Sequence, residues 1–598
     1  MDTATAKQSS TAAAERPSSA IDPVRLEIIR TGLQAIPDLI ETDLMRTAFS
    51  PLIYEYKDYA VGLISNDGKA LALATHGLPL FTSVMGRAIL DGLDIHGLDR
   101  LEPGDAIITN YAGTLGQHLN NVVMYTPVFG AGKRPVAFMA VTVHWLDIGG
   151  RYPGSCLGTD MTDLFQEGLH LRSLKLYKRG ALDEDVLRII EYNTRLPDML
   201  LGDIAAQYAG CLKGRVLFEE LMARHGESLL FEAIHEIWQS SERAARKAVR
   251  ALPDGVYEAK SFLDNDGIDL DRRVPVVVKV EIKDGDFIVD LSGCSDQLRG
   301  PFNSGRYGGA ETCARIAFKY LFAPDDALNE GGFAPVKVVI PDGKFLSATG
   351  QAPLGGYSTP LCTVVDTIIA AMAKALPERT AAGHHSSFGV YGFSGMNPRT
   401  GQFFSWFDTG HGGWGGSAHA DGAGPYKTIT HADTKDIPVE TIEALYPFRV
   451  EHYGWRQDSA GPGRHRGGLG LDKTMRVLAA CNFNASFERF NCPPWGLDGG
   501  LAGAPGYVEV ETPEGRKPLH KISQFAVKPG DRVHVHSGGG GGFGPATARD
   551  PQDVLRDVTR GYVSVAQAQE VYGVTFDAAG QIEHAGTKVK RAALLRTP

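Results

Sequence analysis

Apolar residues recur at Leu26, Ile29, Leu33, Ile36 and Ile40, directly after Asp22-Pro23. Steps of three and four place them on one face of an α-helix, with Asp22 as N-cap, Pro23 in the first turn and Pro37 as the place for a kink. The rhythm then shortens. Tyr59 to Ser65 and Lys69 to Ala74 flank Asn66-Asp67-Gly68, which predicts a hairpin. Asp105 to Thr109, Val122 to Phe129 and Pro135 to Val143 also read as strands. From Asp183 to Leu252 charges alternate with apolar residues at helical spacing until Pro253-Asp254-Gly255, predicting a helical insert or subdomain. Val276 to Ile282 and Phe287 to Leu291, joined at Asp284-Gly285, predict a second hairpin, and Val364 to Leu376 a helix stopped by Pro377. Beyond Pro447 the chain reads as β-rich, with frequent Gly and Pro and a helical tail from Ala566 to Tyr572.

These elements predict an α+β, multidomain fold with mixed sheets, a helical insert and a β-rich, Gly-rich C-terminal part. The expected division is a disordered tail over 1–20, a metal-site domain over 21–260 with its insert at about 183–252, a central mixed α/β domain over 261–446, and a β-rich domain over 447–598 with a terminal helix. At 598 residues, 43% hydrophobic and 22% charged, the chain has an ordinary composition for large cores. A net charge of −10 with no long basic run gives no reason to expect nucleic acid or an anionic membrane as partner. The seven cysteines are scattered and never form C-x-x-C. That argues against a disulfide framework and against a structural zinc site, and fits a reducing cytoplasm.

The candidate chemistry sits where apolar strands end. His144 and Asp147 close the run from Pro135 to Val143, and His118 and Asn121 repeat the His-x-x-acid spacing upstream with an amide in place of the acid. Imidazole nitrogens and carboxylate oxygens suit a divalent ion, and Asp58 is the best further carboxylate. The spacing equally allows both histidines to be hydrogen-bonded core residues, with Asp147 capping the Ile148-Gly149-Gly150 turn. Other motifs carry less. Phe407-Asp408-Thr409-Gly410 matches an aspartic-protease loop but occurs once, whereas that chemistry needs two carboxylates. The run Gly538 to Gly542 lacks a following Gly-Lys-Ser/Thr, so close backbone packing is the default. His384-His385 and His534-Val535-His536 have no carboxylates at ligand spacing. Gly412 to Gly416 around Trp414, with His411 and His419, reads equally as pocket wall or crowded turn.

The ordered motifs resemble the hydantoinase B family, the metal-binding subunit type of ATP-dependent N-methylhydantoinases, 5-oxoprolinases, caprolactamase, and acetone and acetophenone carboxylases. The likeness runs from about Asp22 to Gly573. It rests on Arg46-Thr47-Ala48-Phe49-Ser50 with Asp58, Gly104-Asp105 through Asn110 to His118, and His144 to Gly150 with Pro153-Gly154. Glu167-Gly168-Leu169, Val289 to Gly293, Asp458-Ser459 through Arg464 to Gly470, Gly538 to Pro545, Asp557-Val558 and Tyr572-Gly573-Val574 extend it. The resemblance implies metal ligands at Asp58, His118, Asn121, His144 and Asp147, with His144 and Asp147 catalytic, and manganese, zinc or iron as the ion. The chain departs from the family at Asn121, usually Asp, and at Tyr111, where Asn-Asp-Pro-Tyr is usual. A neutral amide at Asn121 weakens the hold on a divalent ion.

The family further implies an A-type, ATP-binding partner that phosphorylates a carbonyl or enol oxygen, so that ATP is used through a hetero-oligomer. Ring opening of a hydantoin, 5-oxoproline or related lactam is the leading expectation. Alternatives are a role in a ketone carboxylase and a scaffold role with a degenerate metal site.

Overall fold

In the computed structural model, which describes residues 21–432 and 434–596, the Asp22-Pro23 signal opens a helix over Pro23–Thr47. The Asp22 carboxylate accepts from the Arg25 N–H. The tail expected over residues 1–20 lies outside the described residues. Four sheets follow.

The first sheet has seven strands, β1 (Tyr59–Ser65), β2 (Ala70–Leu73), β3 (Ala106–Thr109), β4 (Asn121–Phe129), β5 (Pro135–His144), β6 (Leu174–Lys178) and β7 (Ala181–Leu182), in the order β2-β1-β5-β4-β3-β6-β7. Its central strand β5 is buried at every position but Val136. That is why it reads as a continuous apolar run instead of alternating. Helix Pro197–His225 packs on β4 and β5 and against Pro23–Thr47, and helix Met85–His96 packs on β1, β4 and β5. The first of these comes close because Gly214 has no side chain: a Cβ there would lie 2.5 Å from Met139 Sδ. The helical stretch, Glu184–Glu191, Pro197–His225 and Glu227–Arg250, therefore completes the core of the first sheet instead of standing apart as an insert.

The second sheet joins Gly255–Leu263, Val274–Lys283, Asp286–Asp290 and Val336–Val339, with helix Ser358–Met372 packed on its first two strands. The third combines Val390–Met396 and Phe403–Thr409 with Cys481–Ser486 and Lys521–Val527. Since it takes strands from both sides of residue 447, the chain is not divided there. The fourth holds the remaining five strands, between Phe448 and His536. Behind it come Pro551–Thr559, Val565–Glu570 and a further helix, His584–Leu594, that the periodicity did not predict.

The glycine-rich segments stack backbone on backbone. Gly540 N–H donates to Gly468 O at 2.9 Å, Gly541 N–H to Gly383 O at 2.8 Å and Gly461 N–H to Gly540 O at 2.7 Å. A Cβ on Gly540 would lie 2.0 Å from Trp414 O. These N–H groups are spent on neighbouring backbone, so the run offers no phosphate cradle. Asp408 is likewise structural, its buried carboxylate 3.1 Å from Lys473 Nζ and 3.6 Å from Lys427 Nζ. Among the described residues no helix is long and apolar enough to cross a membrane.

Candidate metal centre

Three adjacent strand ends build the centre. Register pairs Asn121, the first residue of β4, with His144, the last of β5. On the other side of β5, Tyr59 of β1 pairs with Val143, and the His144 N–H donates to Asp58 O at 3.1 Å. Residues far apart in sequence thereby stand side by side. His118 joins from the loop before β4, its carbonyl accepting from Asn121 N–H at 3.3 Å. Buried Asn110 ties that loop down, its amide donating to Leu119 O and Leu169 O.

Hydrogen bonds fix which atoms face inward. The Gln117 amide donates to Leu80 O at 2.7 Å, so its Oε1 must accept from Asn121 Nδ2 at 3.1 Å; that amide also donates to the Tyr357 hydroxyl at 3.0 Å. Asn121 Oδ1 is left facing His118 Nε2 at 2.8 Å and His144 Nδ1 at 3.2 Å. His118 donates its Nδ1 proton to Gly355 O at 3.0 Å, because a carbonyl only accepts, and the neutral ring then carries a lone pair on Nε2. Two lone pairs thus meet at 2.8 Å. Burial lowers His118 to about 4, and in this tautomer the two atoms are placed to share a cation. Two ligand atoms bound at about 2.1 Å to one ion at right angles lie about 3 Å apart, so the spacing fits a metal.

The other groups agree. His144 Nδ1 is 3.8 Å from Asp58 Oδ2, while its buried Nε2 has no partner. Burial, then the neighbouring His118, holds His144 well below the usual imidazole range, and burial raises Asp58 to about 7. Both shifts express charge-sensitive groups deprived of water and of a counter-charge. Apolar residues, among them Leu80, Phe81, Leu157, Phe302 and Phe407, line the same cavity with His118, Asn121, His144, Asp58 and Tyr357. The space open to the centres of water molecules is about 40 Å³, several times what one water needs. The residues present fit a divalent ion.

Asp147 does not join them. Its carboxylate accepts from the N–H groups of Gly149 at 3.1 Å, Gly154 at 3.0 Å and Arg195 at 2.9 Å, and from Arg195 Nη1 at 2.9 Å. It caps the turn after β5 and pins the following loop to Arg195, so neither a ligand nor a catalytic role falls to it. The glycine segments around Trp414 and Gly540 also contribute nothing to the cavity wall.

Three residues at or behind the cavity wall were not among those expected from the sequence. Cys156 offers its Sγ within 4.8 Å of ligand atoms of both His118 and His144. His431 lines the cavity, its Nδ1 bound to Thr430 Oγ1 at 2.8 Å and Thr428 Oγ1 at 3.1 Å. No spacing signal links either one to His118. Glu167 is visible in the sequence only as part of a matching motif. Its Oε1 accepts from Leu354 N–H at 2.5 Å and Gly355 N–H at 2.7 Å, and so holds the residue whose carbonyl orients His118.

Burial raises Glu167 to about 8, while its Oε2 has no partner. A carboxyl raised on folding stabilises below its unfolded value near 4.5 and loses that contribution as pH climbs towards 8. Glu167→Gln keeps an acceptor for both N–H groups and removes the titration. It is expected to flatten the decline in stability between pH 5 and 8 by up to about 1 kcal/mol per pH unit in urea unfolding. An unchanged slope would place the titration elsewhere.

A family model described as Hydantoinase B/oxoprolinase matches residues 22–546. A protein described as the B-type component of a D-/L-hydantoinase, from Pseudomonas sp. (strain NS671), is 29% identical across 96% of this chain and 98% of its own. The beta chain of the caprolactamase of Pseudomonas jessenii is 29% identical across 96% and 99%. A nucleotide-free acetone carboxylase structure superposes with a TM-score of 0.88 at 20% identity over 96% of this chain and 83% of that one, a likeness of fold.

Proposed function

This chain belongs to the hydantoinase B/oxoprolinase family, and from that premise we propose that it is the metal-binding subunit of an ATP-dependent cyclic amide hydrolase. The observation that carries the reading is the convergence of His118 Nε2, His144 Nδ1, Asn121 Oδ1 and Asp58 Oδ2 in one water-poor cavity. A degenerate scaffold would have no reason to keep four donors and the second-layer bonds of Gln117, Gly355 and Glu167 that aim them. Two relatives that match nearly end to end are named for a hydantoinase and a caprolactamase, which favours a lactam or hydantoin over a ketone.

Asp58, His118, Asn121 and His144 would hold the ion. When bound, it would supply a Lewis acid and a water acidic enough to act as nucleophile near neutral pH. The chain's own groups do the rest. Apolar walls from Leu80, Phe81 and Phe407 exclude bulk water, which protects an activated amide from hydrolysis outside the site. His431 lines the cavity with its Nδ1 held by two threonine hydroxyls, which leaves Nε2 as its remaining hydrogen-bonding atom for orienting the amide. The Tyr357 hydroxyl, held by Asn121 Nδ2, is free to donate its own proton to a developing oxyanion. Nothing in the glycine-rich segments binds nucleotide, so activation by ATP belongs to an A-type partner.

The test is a co-purified complex assayed with ATP and a panel of hydantoins and lactams. Phosphate and ring-opened acid should appear together. Phosphate release only with ketone and bicarbonate would replace the amidase with a carboxylase.

A further inference from the structure

The chain leaving the centre at His144 turns back to it twelve residues later, and the return is built. Asp147 ties Gly149, Gly154 and Arg195 together. Ser155 Oγ accepts from Ile148 N–H at 2.9 Å and donates to Gly149 O at 2.8 Å. Gly154 and Ser155 take left-handed conformations, φ +75° and +52°, a strained choice for serine that the crossed bonds sustain. The residue delivered by this turn is Cys156, on the cavity wall beside His118 and His144.

We propose that Cys156 is a ligand of this centre as a thiolate, and that it biases the site towards zinc, iron or cobalt and away from magnesium and manganese. The inference rests on the reading of the cavity as a metal centre. The ligand atoms of His118, His144 and Cys156 lie within 4.8 Å of one another, a span that one ion with a bond of about 2.3 Å to sulfur and bonds of about 2.1 Å to nitrogen closes with small side-chain rotations. The cavity that Cys156 lines also holds Asn121 and Asp58 beside the two histidines.

Charge supports the same assignment. Two neutral imidazoles, the Asn121 amide and the Asp58 carboxylate leave a divalent ion with one uncompensated positive charge in an apolar cavity. One thiolate cancels it. On binding, the Sγ–H bond breaks, its electron pair passes to the ion, and one proton leaves to solvent. A polarisable sulfur ligand favours zinc, iron and cobalt, whereas oxygen-rich sites favour magnesium and manganese.

Cobalt(II) reports sulfur ligation directly, through a near-ultraviolet sulfur-to-metal charge-transfer band that needs no catalysis. The full chain is expected to bind one cobalt with that band. Cys156→Ser should lose the band and bind zinc at least about 10–100-fold more weakly, with manganese affinity changed less than about threefold. In the unmodified chain, bound zinc should slow alkylation of Cys156 and leave that of Cys492, the other partly exposed cysteine, unchanged. This second measurement holds even if Cys156→Ser folds poorly. Cobalt uptake without the band, a band that survives Cys156→Ser, or alkylation indifferent to zinc would overturn the thiolate. Uptake without the band leaves the amidase reading intact, whereas the band with no ring opening on any lactam defeats the amidase reading and leaves Cys156 a ligand.

Discussion

His144→Ala is expected to abolish metal binding and to cut ring-opening turnover by at least about 100-fold, while the metal-free fold survives. The two halves of that result have separate causes. In the metal-free chain His144 contributes little: its Nε2 is buried without a partner and its Nδ1 makes one long contact of 3.2 Å to Asn121. Removing a poorly satisfied buried group costs only the packing it provides, about 1–2 kcal/mol here. With metal present, His144 Nδ1 would be one of its donors, set 3.2 Å from Asn121 Oδ1 and 3.8 Å from Asp58 Oδ2. An ion that binds only the folded state stabilises it by about 2.7 kcal/mol at one hundred times its dissociation constant. The wild type should therefore gain several degrees in melting temperature on adding zinc, and His144→Ala should gain none. A variant that keeps both the metal and the thermal shift would move the centre elsewhere.

Asp147→Ala is expected to lower stability by about 3 kcal/mol, more than the loss of any donor at the centre. Its carboxylate is fully buried, and Arg195, about a third exposed, is its ion-pair partner. Loss of the carboxylate leaves the N–H groups of Gly149, Gly154 and Arg195 without their acceptor and the guanidinium with only the carbonyls of Gly150 and Tyr152. Partial exposure of Arg195 discounts the usual cost of a broken buried pair, since water reaches the orphaned cation. Urea unfolding checks the magnitude. Limited proteolysis should cut the loop between Gly149 and Cys156 in the variant and spare it in the wild type. A variant as stable as wild type that binds no metal would restore Asp147 to the ligand set. Asp58→Asn supplies the contrast, with metal affinity reduced and the loop intact.

Much of the local structure was legible in the sequence because it depends on periodicity and on residues with distinctive backbones. The steps from Leu26 to Ile40 foretold Pro23–Thr47, and Asn66-Asp67-Gly68 foretold the β1–β2 hairpin. His144 at a strand end was likewise visible, since an apolar run that stops there presents that residue at the end of the strand. The reach of each sheet was not. Strands Val390–Met396 and Cys481–Ser486 pair across 84 residues of intervening chain, and no local pattern encodes that pairing.

At the centre the division is sharper. Residue type and spacing by themselves raised His118, Asn121, His144 and Asp58 as candidate donors, a set that the family resemblance also implied. Local sequence also sufficed to raise the turn-capping role of Asp147, because an Asp two residues before a glycine bonds its own backbone. Only the tertiary structure decided between the two readings of Asp147, because the deciding partner, Arg195, arrives from a loop forty-eight residues away. The same is true of His431 and Glu167, which reach the cavity through contacts between separate segments. Cys156 shows why. Its sequence neighbours mark it as one scattered cysteine among seven, yet a pinned turn returns it to His144. Ligand geometry is a matter of a few ångströms, and those are set by register, capped turns and packed helices that bring distant segments together.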